Sequence, residues 1–267
     1  MTALRRVSPF QAGFWLLAMA TLVFLLAPIV IVVLASFNDN QVLSFPVDRF
    51  SLRWYRAVWE DFELLESVRV SLIVAAIATV LALALGIPAA FSLARYKFPG
   101  RDMISAFLLS PLLIPLIALG LAVLLLYAAA GLRPSLTGFI LMHVLITVPY
   151  VIRTVLAVLT QLDPALEEAA LSLGADDLRT KWLVTMPLIR PGIIAGGFFA
   201  FMTSLDNVPV SIFLGSSRMT TLPVRIYGQV ESYGIDPVFA AVSTLLIAAT
   251  LAIMIALDRI IGLDHLK

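Results

Sequence analysis

The sequence predicts an all-α polytopic membrane protein with six transmembrane helices and both termini in the cytoplasm. Three observations predict it. Hydrophobic residues fill 61% of the 267 positions and mean hydropathy is +1.02, whereas soluble domains are about 45–50% apolar. Only 13% of residues are charged, roughly half the share in a soluble domain, which is too little to cover a water-facing surface. The uncharged positions also gather into runs, most of them long enough to cross a ~30 Å hydrocarbon core at ~1.5 Å per helical residue.

The first run extends from Val7 to Asn38 without a charge. A signal peptide's apolar region is only about 7–15 residues, so Arg5, Arg6 and this far longer run read as a retained anchor. Val70–Ala94 follows, uninterrupted between Arg69 and Arg95. Met103–Leu132 is also uncharged but contains Pro111, Pro115 and Gly120. A kink or tilt is expected there, since each proline removes a backbone hydrogen bond. Pro134–Ile152 is the next run and continues past Arg153. Pro191–Leu205 is shorter and ended by Asp206, and Pro237–Leu257 is the last.

Lys and Arg set the orientation. With six spans, Arg5, Arg6, Arg95, Lys97, Arg101, Arg179, Lys181, Arg190, Arg259 and Lys267 fall on one side, ten against seven on the other. The short Arg95–Arg101 connection carries three cations. That side is expected to be cytoplasmic. The outer segment Asn38–Glu66 holds Ser51-Leu52-Arg53-Trp54-Tyr55-Arg56. It reads as a short helix capped by Ser51, either an aromatic interfacial anchor or a contact for an external binding protein.

Several functions are disfavoured or excluded. A net charge of +1 argues against a nucleic-acid partner. The absence of cysteine excludes disulfides and thiol catalysis, and two histidines leave little basis for a zinc site or a haem anchor. No Gly-x-x-x-x-Gly-Lys-Ser/Thr phosphate loop occurs, so no nucleotide site is recognisable. No acid/base pair, nucleophile triad or metal cluster stands out. The chain reads as one membrane domain over 1–267, with no catalytic residue and no metal.

The segment 163–187 stands apart as a charged, helix-forming loop. Asp163 followed by Pro164 is a helix start. Leu166, Ala169, Ala170 and Leu173 recur at helical spacing. Glu167 and Glu168 fall near the helix N-terminus, where the dipole favours anions. Gly174 sits where a left-handed C-terminal cap would fall. Asp176 or Asp177 then caps a second helix to Met186, which Pro187 and Pro191 are expected to end. A stiff elbow of this kind can transmit a push.

The spacing Glu168-Ala169-Ala170, three residues, Gly174, nine residues, Val184-x-Met186-Pro187 resembles the EAA loop of ABC importer permeases. Ile and Leu are usual where Val184 and Met186 stand, and both changes keep an apolar side chain. Ser36-Phe37-Asn38, Phe50-Ser51-Leu52-Arg53-Trp54-Tyr55, Ser204-Leu205-Asp206-Asn207-Val208-Pro209-Val210-Ser211 and Thr221-Leu222-Pro223-Val224-Arg225-Ile226-Tyr227 are similar to the spermidine/putrescine permease family. The resemblance implies a type I importer permease fold. It also implies a second permease subunit forming a heterodimer, two ATPase subunits holding ATP and Mg, and a periplasmic or extracellular solute-binding protein. Glu167, Glu168, Ala169, Ala170, Gly174 and Pro187 would be the ATPase-coupling positions. Polyamines are the expected cargo, with other small amines, opines and aminophosphonates as alternatives.

Asp206 and Asn207 interrupt the fifth span in its outer half. A charge in a membrane segment faces a cavity or a partner, so the pair is expected on a path for a cationic solute, the alternative being that Asp206 pairs with a cation of the partner permease or lies near the outer mouth. An ion-gradient transporter would instead use Asp206 and Arg153 as relay groups, and would leave the 163–187 loop without a purpose. Arg153 lies ~12 Å from the helix end near Gln161 and can snorkel. His143 reads as a packed, hydrogen-bonded residue. Gly192 and Gly196 form a Gly-x-x-x-Gly pair for close helix approach.

Overall fold

The computed structural model describes residues 9–40, 47, 49–133, 135–215, 219–233 and 236–261. Both termini, with Arg5, Arg6 and Lys267, lie outside the described residues, as do Pro134 and Arg218. The chain divides into two compact units, Met1–Phe62 with Gln229–Met254, and Glu63–Gly228 with Ile255–Lys267.

Among the described residues four helices are long and apolar enough to cross a membrane: Gly13–Ala35, Phe62–Arg95, Leu136–Gln161 and Pro237–Ala256. Two bent pairs, Arg101–Leu112 with Leu116–Ala129 and Asp177–Leu188 with Arg190–Leu205, bring the number to six if each pair is one span.

In the first unit, α1 (Pro9–Ala35) is apolar on every side and most of its side chains are exposed. A helix with no polar stripe suits lipid or another membrane chain. The chain then turns into α2 (Arg53–Glu60), where the Ser51 hydroxyl accepts the Arg53 N–H at 3.2 Å. Trp54 Nε1 donates to the Asn38 carbonyl at 2.7 Å, the Ser36 and Tyr55 hydroxyls meet at 2.7 Å, and Asn38 bridges to Phe50. These bonds pin α2 back onto the end of α1. Trp59, Phe50 and Leu52 remain exposed around it. The unit also holds most of the last helix, Pro237–Ile261.

The second unit is organised on α6 (Leu136–Gln161), which buries Phe139, Ile146, Val151, Ile152 and Leu159. Ser135 starts it by accepting the Gly138 N–H at 3.2 Å. α10 (Arg190–Leu205) packs on it through Gly192, Gly196, Ala200 and Ser204, a stripe at four-residue spacing. A Cβ on Gly192 would stand 3.0 Å from the Thr154 carbonyl, and one on Gly196 would stand 3.1 Å from Val151 Cα. The expected close approach of Gly192 and Gly196 is therefore made, and α6 is its target. α3 (Phe62–Arg95) reaches α6 in the same way at Gly86. It begins two turns before the uncharged run that announced it.

The third span differs from expectation. α4 (Arg101–Leu109) passes through a tight turn at Ser110–Leu112 and resumes as α5 (Leu116–Ala129) with its axis turned by 98°. Pro111 and Pro115, one helical turn apart, each remove a helical hydrogen bond, and Pro115 adopts an extended ψ of 123°. A single kink becomes a corner. Gly120 is not part of the break. It lies buried inside α5, where a Cβ would come within 3.1 Å of the Pro209 carbonyl.

Candidate functional site: a clamped loop and a broken span

The loop is built as a rigid elbow. The Asp163 carboxylate accepts the Ala165 N–H at 2.9 Å, Pro164 takes a helical φ of −56°, and α7 (Ala165–Ser172) follows. At its far end the Ala175 N–H reaches the Ala170 carbonyl at 3.1 Å and the Gly174 N–H reaches the Leu171 carbonyl at 3.0 Å. Gly174 has φ +91°. This is the paired closure that satisfies orphan carbonyls at a helix end and favours glycine in the left-handed region. Asp176 then accepts the Arg179 N–H at 2.7 Å and opens α8 (Asp177–Thr180).

Pro187 does not end this second helix, contrary to expectation. The chain widens into a π turn over Lys181–Thr185 and re-enters as α9 (Met186–Leu188), with Pro187 in its first turn. A first-turn residue needs no intrahelical donor. The axis bends by 69° between Leu188 and Arg190, at Ile189 with φ −90° and ψ 1°. Pro191 opens α10.

Glu167 and Glu168 have different environments. The Glu167 carboxylate lies 3.0 Å from Arg95 Nε and 3.2 Å from Arg95 Nη2, and it accepts from the Thr185 hydroxyl at 2.8 Å. Both side chains of the ion pair are about four-fifths shielded. One carboxylate thus ties α7 to the end of α3 and to the π turn. Glu168 and Ala169 are exposed, Ala170 is half-buried, and Leu173 is 89% exposed. Arg95 read only as an orienting cation, and Thr185 carried no signal. Their partner is 72 and 18 residues away in sequence, beyond the reach of helical spacing.

At the other end of α10 the helix stops at Leu205. The Asp206 N–H still reaches the Met202 carbonyl at 3.0 Å, and Asp206 is exposed. Asn207 is buried, and its Oδ1 accepts the Val210 N–H at 3.0 Å, capping the turn into α11 (Ser211–Leu214). Behind the break sits His143, fully buried and packed against Phe139. One ring nitrogen lies 2.8 Å from Ser204 Oγ and the other 3.2 Å from Ser211 Oγ. A neutral imidazole donates on one side and accepts on the other. It therefore joins α6 to both sides of the broken span, as expected of a packed histidine. Asp206 and Asn207 are adjacent but serve different ends, since the amide is committed to the backbone and the carboxylate is not buried.

Among the described residues no group of three His, Asp or Glu side chains gathers to hold a metal ion.

Residues 82–263 match the family described as binding-protein-dependent transport system inner membrane component. Over 233 residues the chain is 34% identical to the putrescine transport system permease protein PotI of Escherichia coli, covering 85% of this chain and 82% of that one. It is 32% identical over 233 residues to the spermidine/putrescine transport system permease protein PotC of Haemophilus influenzae, covering 87% and 90%. Its fold is similar to that of a bacterial ABC transporter involved in the import of the acidic polysaccharide alginate, with TM-score 0.69 and 17% identity over 97% and 98% of the two chains. The chain belongs to the family of binding-protein-dependent transport system inner membrane components, and is a multi-pass permease subunit of the cytoplasmic membrane.

Proposed function

We propose that this permease imports a small cationic solute of the polyamine class, such as putrescine or spermidine, with force delivered through α7. The transport systems of two relatives, similar over most of the chain, support the polyamine class; another small amine, an opine or an aminophosphonate is the neighbouring alternative. The working assembly pairs this chain with a second, different permease and two ATPase subunits that hold ATP and Mg. A solute-binding protein outside delivers the cargo. The termini and the 163–187 loop face the cytoplasm.

One observation carries the coupling role. α7 is capped at both ends and clamped through Glu167 to α3 and the π turn, while its outer surface offers Leu173 at 89% and Leu171 at 47% exposure beside Glu168. An apolar patch in water on an otherwise charged loop is a docking surface, and a clamped helix passes displacement on. In this role Glu168, Ala169, Ala170 and Gly174 shape the seated helix, Glu167 anchors it, and Pro187 opens the short α9 turn that precedes the bend at Ile189.

Leu173→Glu tests the role without disturbing the fold, because so exposed a side chain supports little packing. In vesicles containing the assembled importer, stimulation of ATP hydrolysis by the loaded binding protein is expected to fall at least tenfold, with the permease still in the membrane. Undiminished stimulation removes α7 from the coupling contact. Uptake that follows an imposed ion gradient without ATP would favour an ion-driven carrier instead.

Asp206 is the group on the solute path. Its exposed carboxylate stands where the fifth span breaks, and a charge-assisted hydrogen bond to an ammonium contributes about 1.5–3 kcal/mol. Asp206→Asn is expected to reduce uptake of a cationic solute by about ten- to a hundredfold, on the same energy scale. Unchanged uptake at equal membrane abundance takes Asp206 off the path.

A further inference from the structure

We propose that the groove between α3 and the α8–α9 helix binds one phospholipid bearing a phosphoethanolamine headgroup. The groove has a volume of about 460 Å³ and is lined almost wholly by apolar atoms, among them Leu83, Ile87, Phe91, Trp182 and Met186. From Leu83 to Tyr96 it follows ~20 Å of chain at helical rise. That is the depth of one leaflet, ~15 Å of hydrocarbon, plus a headgroup layer. Its lining includes the exposed Tyr96, Leu178 and Trp182, at 52%, 66% and 62%. One acyl chain of the lipid would lie along this apolar length.

The polar end chooses the headgroup. Lys181 Nζ donates to the Tyr96 hydroxyl at 3.1 Å, lies 5.7 Å from the Tyr96 ring centroid, and pairs with Asp177 one turn earlier. The Asp177 side chain is 73% exposed. A cation and an anion therefore stand side by side at the end of α3, a helix long and apolar enough to cross a membrane. Phosphoethanolamine carries the complementary pair, a phosphate for Lys181 and Tyr96 and an ammonium with three N–H donors for Asp177. A phosphoglycerol headgroup would set its phosphate beside the Asp177 carboxylate with no cation of its own to offset it. Phosphocholine has a cation but no N–H to donate. The bound lipid would brace the π turn against α3, beside the Glu167 clamp.

The assembled importer, taken from membrane into nanodiscs of phosphatidylethanolamine, phosphatidylglycerol or phosphatidylcholine, tests this by native mass spectrometry of the lipid retained on release. One phosphatidylethanolamine per complex is expected, with at least tenfold lower retention of the other two. Lys181→Ala should abolish the retained lipid. Asp177→Asn should turn the preference towards phosphatidylglycerol. Ile87→Trp, which fills the apolar part, should expel lipid from an importer that stays assembled. Equal retention of the three headgroups, an Asp177→Asn preference like the wild type, or loss of subunit assembly in Ile87→Trp (the mark of a partner helix in the groove) would each overturn the proposal.

Discussion

Glu167→Lys is expected to abolish solute uptake while leaving the permease in the membrane. The substitution places an ammonium beside the Arg95 guanidinium and removes the acceptor of the Thr185 hydroxyl. Exposed ion pairs contribute about 0–1 kcal/mol, and loss of one partner from a buried pair costs about 3–5 kcal/mol. A pair about four-fifths shielded falls between them, so Glu167→Gln should cost about 1–3 kcal/mol of local stability on those scales. Glu167→Lys adds like-charge repulsion and should exceed that. The spans rest on apolar contacts elsewhere, so what fails is the tie between α7 and α3. The expected signs are faster proteolysis within 163–187 and ATP hydrolysis that no longer yields uptake. The exchange Arg95→Glu with Glu167→Arg restores opposite charges across the same gap and should recover part of both. Full uptake in the single Glu167→Lys variant would show that the clamp carries no force.

The loop's shape was legible because each of its signals is local. Asp163 and Pro164 start a helix side by side, Gly174 ends it by its own backbone freedom, and Asp176 restarts the chain by accepting the N–H of nearby Arg179. The four long spans were legible for a similar reason, since an uncharged run is a property of neighbouring positions. Contacts that close over long separations were not. Nothing in the neighbourhood of Glu167 distinguishes it from Glu168. Only the end of α3, 72 residues earlier, makes one the clamp and leaves the other exposed. The prolines misled in two directions. Pro111 and Pro115 cooperate to turn a span by 98°, whereas Pro187 is absorbed by a π turn whose residues, Lys181–Thr185, carry no sign of it. His143 read as a packed residue, and the break it staples was visible as Asp206-Asn207. That the staple and the break meet depends on α6 lying against α10, which follows from glycine stripes whose partner the sequence does not name.

That packing sets the second large effect. Gly86→Val is expected to leave little folded permease in the membrane. A Cβ on Gly86 would stand 2.8 Å from both Cβ and Cγ1 of Val151, and a Cβ on Gly196 would stand 3.1 Å from Val151 Cα. α3 and α10 thus close on the same residue of α6. A flexible side-chain end could swing aside, but a Cβ moves only with its backbone, so the helix itself must shift. Overpacking a core by added methylenes costs about 1–3 kcal/mol, and Val adds three carbons at a point held on two sides. Gly86→Ala is the graded case and should lower the midpoint of thermal unfolding in detergent by several degrees. Val151→Ala should not rescue it, because alanine keeps the offending Cβ; Val151→Gly removes that atom and should relieve the contact. Gly197→Ala is the matched control. Its added Cβ would meet Leu83 Cδ1 at an ordinary 3.5 Å, and Ala in place of a helical Gly gains about 0.5–1 kcal/mol. If Gly86→Ala proves as stable as Gly197→Ala, α3 does not approach α6 at Gly86, and the close-packed core of α3, α6 and α10 must be redrawn.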